Sequence, residues 1–317
     1  MSELRFDGRV VVVTGAGRNL GREYALALAA RGASVVVNDL GVAISDSDGS
    51  GEAPPRSPAC DVVDEIHTAG GVAVADTNSV ATRDGGGAII ATALDTYGRI
   101  DVVINNAGVV RAAPFADLTD DLLDPVIDSQ IRSLFYVTQP AWRAMASQGY
   151  GRVVNVSSGA ALGGTPGHVA YGAAKMAVIG ATRQLAAEGE PLGIKVNVVA
   201  PYAKTRPGTP FGPIPWSDSL AAWLSPELLA PLVTLLAHED CPVTGDCFAA
   251  GGGLVSRVLL STTPGLVDRA MTPESLLGDW ATVMDDTGAD PATYATSAVV
   301  RRMFADYAGA VDSGRDL

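Results

Sequence analysis

The chain alternates short, almost wholly apolar runs with longer stretches in which apolar residues recur at helical spacing. Val10-Val11-Val12-Val13-Thr14 is the first such run, and it passes through Gly15-Ala16-Gly17-Arg18-Asn19-Leu20-Gly21 into a helical stretch at 22–29. Further strands are predicted at 33–38, 72–75, 100–104, 152–157, 195–200 and 247–250. Helices are predicted at 59–69, 87–97, 120–148, around Tyr171, and at 226–238. Segments rich in Ser, Asp, Gly and Pro at 41–58 and in Pro and Gly at 202–216 read as surface loops. Strands alternating with helices imply one α/β domain, a doubly wound parallel sheet with helices on both faces. Right-handed crossovers then bring Gly15, Asp39, Asn105, Ser158 and Pro201 to one edge of that sheet, where open α/β folds bind ligands.

The predicted sheet domain is 1–255, followed by a C-terminal helical extension, 256–317. Thr272 and Pro273 suit an N-cap and first helical position, and Leu276, Leu277, Trp280 and Val283 follow at helical spacing. The extension is expected to pack on the domain or on a neighbouring subunit; the alternative is that it covers a long acyl or sterol substrate.

The 317 residues, 47% of them hydrophobic and 36 of them glycine, suffice for one large core. A net charge of −13 without a Lys/Arg run argues against nucleic acid, whose phosphates need clustered cations. No apolar span is long enough for a membrane helix, and the first residues lack an apolar leader. Cys60, Cys241 and Cys247 show no metal-ligand spacing and fit a reducing, cytoplasmic compartment; no metal is expected. His168 reads as a loop residue close to Tyr171.

Strand, glycine-rich turn and helix together make a pyrophosphate cradle from Gly15, Gly17, Arg18, Asn19, Leu20 and Gly21. Asp39, at the end of the second strand, suits a ribose 2′-hydroxyl and would repel a 2′-phosphate, which favours NAD over NADP despite Arg18. Asn78, Ser79 and Val80 after the third strand and Pro201 after the sixth complete the predicted cofactor contacts. Tyr171 and Lys175 lie four apart and share a helix face, with Ser158 at the end of a buried strand. A phenol has a reference pKa of about 10, and a nearby ammonium lowers it toward a working range. That trio is a proton-transfer device for a carbinol or carbonyl.

Ser158, Tyr171 and Lys175 at their spacing, with Asn105-Asn106-Ala107-Gly108 and Thr14-Gly15, resemble the short-chain dehydrogenase/reductase family over about residues 5–255. The resemblance implies a nicotinamide cofactor and interconversion of an alcohol and a ketone. It makes Tyr171 the acid/base, Ser158 the substrate-orienting hydroxyl and Lys175 the activator of Tyr171 and ribose anchor. It also implies that Asn106, Ala107 and Gly108 shape the cofactor pocket and that the protein is a homodimer or homotetramer. Asn19 stands where most members have glycine, and asparagine tolerates the left-handed backbone region. Gln130 aligns with a relay asparagine and is read as its replacement.

Three segments, 35–41, 225–233 with His238-Glu239, and 271–274, resemble the (3R)-hydroxyacyl-CoA dehydrogenase domains of peroxisomal multifunctional enzymes type 2. As in that subfamily, Pro201-Tyr202 departs from the usual Pro-Gly. This implies a small-molecule substrate, an acyl-CoA or a steroid. Near the site edge, Arg111, Lys204 and Arg206 read as solvated surface charge or, alternatively, as contacts for CoA phosphates. No hydratase or sterol-carrier domain is expected after Leu317. A 17β-hydroxysteroid or other secondary-alcohol dehydrogenase is the alternative. A non-catalytic NAD-binding protein is a further one, resting on Gln130 alone.

Overall fold

A computed structural model of the chain describes residues 3–41, 56–203, 223–268 and 270–291. Most of the predicted loops at 41–58 and 202–216, with Lys204 and Arg206, and the end of the extension lie outside the described residues. The chain divides into two compact units, residues 1–257 and 258–317.

The first unit is built on one eight-stranded sheet. Its order is β3 (Val72–Asp76), β2 (Ser34–Asn38), β1 (Val10–Thr14), β4 (Val102–Asn105), β5 (Gly151–Val156), β6 (Ile194–Pro201), β7 (Cys247–Gly251) and β8 (Leu254–Val258). Pairing is parallel from β3 through to β7, with Val12 opposite Val36 on one side and Val103 on the other. The order reverses between β1 and β4, which opens a crevice at the carboxyl ends of those strands. Strand β8 was not foreseen, because its apolar residues Leu254 and Val255 are exposed and carry no alternation. Gly252 and Gly253, at φ of 59° and 80°, make the two-residue turn into it, and so short a turn joins only antiparallel strands.

Helices α1 (Asn19–Ala29), α2 (Pro58–Thr68) and α7 (Ala230–Ala237) share a core with the sheet. Tyr24, Leu28, Val62, Ile66, Val233 and Leu236 meet the strand valines there. Helices α3 (Arg83–Tyr97), α5 (Ser133–Gln148) and α6 (Val169–Gly189) cover the opposite face. Helix α3 starts at Arg83, four residues before the predicted start at 87, because Thr82 caps it by accepting from Gly85 N at 3.1 Å. Within its Gly85-Gly86-Gly87 run, which reads locally as a breaker, Gly86 serves packing: a Cβ there would lie 2.6 Å from the Tyr136 backbone of α5.

The predicted helix at 120–148 is α4 (Asp120–Ile127), a π turn (Asp128–Arg132) and α5. Ser129 and Ser133 donate to the carbonyls of Pro125 and Ser129 at 2.7 and 2.6 Å, side-chain bonds that compete with the regular ladder. Widened turns of this kind recur at functional sites, and this one carries Gln130.

In the second unit, β9 (Ser261–Thr262) pairs antiparallel with β10 (Asp290–Pro291). Thr272 and Ser275 form a reciprocal capping box at the start of α8 (Pro273–Gly278), with Pro273 in the first turn as the sequence suggests. The helical stripe breaks at Asp279 before α9 (Trp280–Met284). No described helix is long and apolar enough to cross a membrane.

Candidate active site

The turn from β1 to α1 is shaped by what a side chain would strike. A Cβ on Gly15 would lie 2.8 Å from Ala107 Cα, one on Gly21 2.2 Å from the Gly15 carbonyl oxygen, and one on Gly17 2.8 Å from Asp39 Oδ2. Asn19 takes φ +48°, the left-handed conformation that its short amide tolerates. Helix α1 starts at Asn19, three residues before the predicted 22, with no side-chain cap from Arg18 and no acid in its first turn. Leu20 tucks into the core beneath. The start of α1, without a side-chain cap, therefore puts the positive helix end at the carboxyl end of β1, a fit for a pyrophosphate.

Asp39 closes one side of this cradle. Its Oδ2 accepts from Gly17 N at 3.1 Å and its Oδ1 from Gly41 N at 2.9 Å. Beyond it, Asp76 is saturated by Asn38, Asn78 and Thr92, which fixes the turn into Asn78-Ser79-Val80. On the other side, Asn106 Nδ2 donates to the carbonyls of Thr14 and Gly15 at 2.9 and 3.0 Å. Thr14 Oγ1 accepts from the N–H groups of Asn106 and Ala107 at 3.0 and 3.1 Å, locking the end of β4 to the glycine turn. The sequence singles out Thr14 only as part of the Thr14-Gly15 turn; its role as the acceptor that ties β4 to that turn depends on a partner 92 residues away.

Ser158 follows the last residues of β5 and caps a short helical turn, Gly159–Ala161, accepting from Ala160 N at 3.2 Å. Helix α6 lies against that turn: a Cβ on Gly172 would be 3.1 Å from the Ala160 carbonyl oxygen. Two bonds clamp α6 to the strand end. Ser157 Oγ donates to the Lys175 carbonyl at 2.7 Å, and Lys175 Nζ donates to the Val156 carbonyl at 2.7 Å. Lys175 Nζ sits 5.7 Å from the centre of the Tyr171 ring. The Tyr171 ring packs on Val126, Ala170 and Ala174. Lys175 is 4% exposed, and that burial lowers its pKa to about 7. A cation there is therefore held weakly by the protein alone. Ser158, Tyr171 and Lys175 are thus gathered around one strand end.

Gln130 lies elsewhere on the same edge. Its Nε2 donates to the Val109 carbonyl at 3.0 Å, and its amide fills the space over Gly108, where a Cβ would meet Nε2 at 2.1 Å. Among the described residues no hydrogen bond joins Gln130 to Lys175. Gln130, Thr14, Val80, Asn105, Ala107 and Ser133 line a cavity of about 10 Å³, room for about one water. Behind it, Asn105 Nδ2 donates to Thr138 and Asn155, and Asn155 Nδ2 to Thr182, at 2.8–2.9 Å, a buried polar chain that ties β4 and β5 to α5 and α6. Pro201 ends β6 on this edge. His168 is buried at the head of α6, its Nδ1 3.1 Å from the Pro166 carbonyl oxygen. Arg111 Nη1 donates to the Val110 carbonyl at 3.0 Å on the loop after β4.

Residues 9–207 match the family model for short chain dehydrogenases. The chain is 42% identical over 292 residues to peroxisomal multifunctional enzyme type 2 of Mus musculus, covering 91% of this chain and 38% of that one. It thus spans well under half the length of the mouse enzyme. It is also 42% identical over 282 residues to a short-chain type dehydrogenase/reductase of Mycobacterium tuberculosis, covering 89% of this chain and 96% of that one. The crystal structure of a short chain dehydrogenase from Mycobacterium avium superposes with a TM-score of 0.74 at 37% identity, over 89% of this chain and 96% of that one.

Proposed function

This chain belongs to the short-chain dehydrogenase family, oxidoreductases that act on CH–OH groups with NAD(P), and we propose that it is an NAD-dependent 3-hydroxyacyl-CoA dehydrogenase. The observation that carries the chemistry is the clamp of Lys175 beneath Tyr171 at the end of β5, beside Ser158. The likeness to multifunctional enzyme type 2 and the resembling segments at 35–41, 225–233 with His238-Glu239, and 271–274 support the acyl-CoA substrate.

The glycine turn, the uncapped start of α1 and Asp39 would hold NAD, with Asp39 on the adenosine ribose. Each Asp39 oxygen already accepts one backbone bond and keeps a lone pair for a hydroxyl, whereas a 2′-phosphate would meet its charge. A nicotinamide held there would supply the acceptor for hydride from the carbinol carbon. Ser158 Oγ orients the substrate oxygen, and Tyr171, as phenolate, takes the O–H proton while the C–O bond becomes C=O. Lys175 in its charged form stabilises that phenolate. Gln130 acts as a positioning residue that sets the Gly108–Val109 backbone. Exposed Phe135 and Met176 on α5 and α6 support a homo-oligomer. The free thiols of Cys60, Cys241 and Cys247 support a reducing compartment such as the cytoplasm.

The test is initial-rate oxidation, with NAD⁺ and NADP⁺ in parallel, of (3R)- and (3S)-hydroxyacyl-CoAs, a steroid-side-chain hydroxyacyl-CoA and free 17β-hydroxysteroids. NAD⁺-dependent turnover of a hydroxyacyl-CoA is expected. Tyr171→Phe should lose at least about a hundredfold in kcat while NAD binding by calorimetry persists. Turnover of free steroids alone sinks the acyl-CoA reading, and full activity in Tyr171→Phe sinks the acid/base assignment.

A further inference from the structure

Tyr202 follows the end of β6 on the edge that carries Ser158, and its ring lies over Gly159. A Cβ on Gly159 would be 2.4 Å from Tyr202 Cε1 and Cζ and 2.8 Å from its hydroxyl oxygen. A larger residue there would push the ring aside, and glycine lets the phenol end of Tyr202 lie against the residue next to Ser158. The backbone of Tyr202 is pinned from behind. Its N–H donates to the Ala250 carbonyl at 2.7 Å, and a Cβ on Gly251 would lie 2.3 Å from the Tyr202 carbonyl oxygen. Yet the side chain is 49% exposed. A rigidly based aromatic with its hydroxyl at the site and half its surface open is a wall with a donor on it.

We propose that Tyr202 is a substrate-positioning residue whose phenol donates a hydrogen bond to the thioester carbonyl of the acyl substrate. This rests on the reading that Ser158 and Tyr171 hold the oxygen on C3. In a 3-hydroxyacyl thioester the C1 carbonyl is one methylene from the reacting carbon. A donor one residue from Ser158 meets that oxygen without moving the reacting carbon away from Tyr171. A simple secondary alcohol offers nothing there and leaves the phenol without that partner. A site built to bond a group discriminates against analogues that lack it. Tyr202 would thereby select β-hydroxy thioesters over plain alcohols, using its hydroxyl and not merely its bulk.

The experiment compares a 3-hydroxybutyryl thioester of N-acetylcysteamine with the matched thioether, in which a CH₂ replaces the C1 carbonyl. Each enantiomer is oxidised by wild type and by Tyr202→Phe, with thermal melting and NAD binding measured on both proteins. The expected result is that Tyr202→Phe lowers the thioester-to-thioether ratio of kcat/KM by about tenfold, the worth of one hydrogen bond, with melting and NAD binding as in wild type. An unchanged ratio, or an equal loss on both substrates, overturns the assignment of Tyr202 and leaves the dehydrogenase reading intact. A wild type that oxidises the thioether but no thioester overturns both. Tyr202→Leu separates hydroxyl from ring: the ratio should fall no further than in Tyr202→Phe, and a fall confined to Tyr202→Leu means the ring alone is read.

Discussion

At the scale of single residues, the site depends on a lysine whose charge the fold disfavours. Burial lowers the Lys175 pKa from its ordinary 10.5 to about 7. Between those values the unfolded chain binds a proton that the folded chain has released, so stability rises with pH across that window. Below about pH 7 both states are protonated and the folded protein bears the full cost of a buried ammonium. Lys175→Met removes this linkage. Urea unfolding from pH 7 to 10 should therefore show wild type gaining on the variant as pH rises, with a slope of at most about 1.4 kcal/mol per pH unit. A gap that stays constant, or closes, would mean that Lys175 remains charged in the folded protein. Gly17 and Asp39 make a second residue-scale point: the carboxylate that would face a ribose also holds the glycine turn. Its two roles are inseparable by simple deletion.

At the scale of elements, α3 contrasts two neighbouring glycines inside one helix. A Cβ on Gly86 would press on the Tyr136 backbone at 2.6 Å, whereas one on Gly87 meets nothing within 4 Å. Gly87→Ala should stabilise the protein by about 0.5–1 kcal/mol through helix propensity. Gly86→Ala should destabilise it by about 1–3 kcal/mol, because α3 and α5 must part. Chemical denaturation of the pair is the check, and equal effects would discard the close approach of these helices. The π turn between α4 and α5 is likewise an element-level device. It places Gln130 against Gly108 and Val109 and lets one side chain set the loop that follows β4.

At the scale of the molecule, the two ends of the sheet do different work. The carboxyl ends carry the candidate site, and the amino ends carry a charged knot around Asp101. Its fully buried carboxylate accepts from Val10 N at 2.9 Å, Arg9 at 3.0 Å and Arg99 at 2.7 and 2.8 Å. Arg9 and Arg152 lie on the Tyr150 ring at 4.0 and 4.4 Å beside it. Asp101→Ala should cost about 2–4 kcal/mol, moderated because both arginine partners reach solvent. The kcat of the folded variant should match that of wild type, since Asp101 stands at the far end of the sheet. A fall in kcat without a fall in stability would refute this division of labour.

The sequence by itself determined the strand–helix alternation, the edge on which the candidate residues gather, the Asn19 turn and the Thr272-Pro273 helix start. These are read from local period and turn chemistry, which act within a few residues and need no partner. Only tertiary structure decided the close approach of α3 to α5, the seat of Gln130 against Val109, the exposed strand β8 and the burial of Lys175. Each of those depends on a partner that the fold brings up: Tyr136 across from Gly86, Val109 above Gln130, β7 beside β8, and the Val156 carbonyl beneath Lys175. Tyr202 shows the division most directly. Its departure from Pro-Gly is visible in the sequence, but its place over Gly159 follows from β6 and β7 lying side by side next to β5. Packing sets close approaches between segments, and a linear pattern cannot encode them because the partner's position is itself a product of the fold.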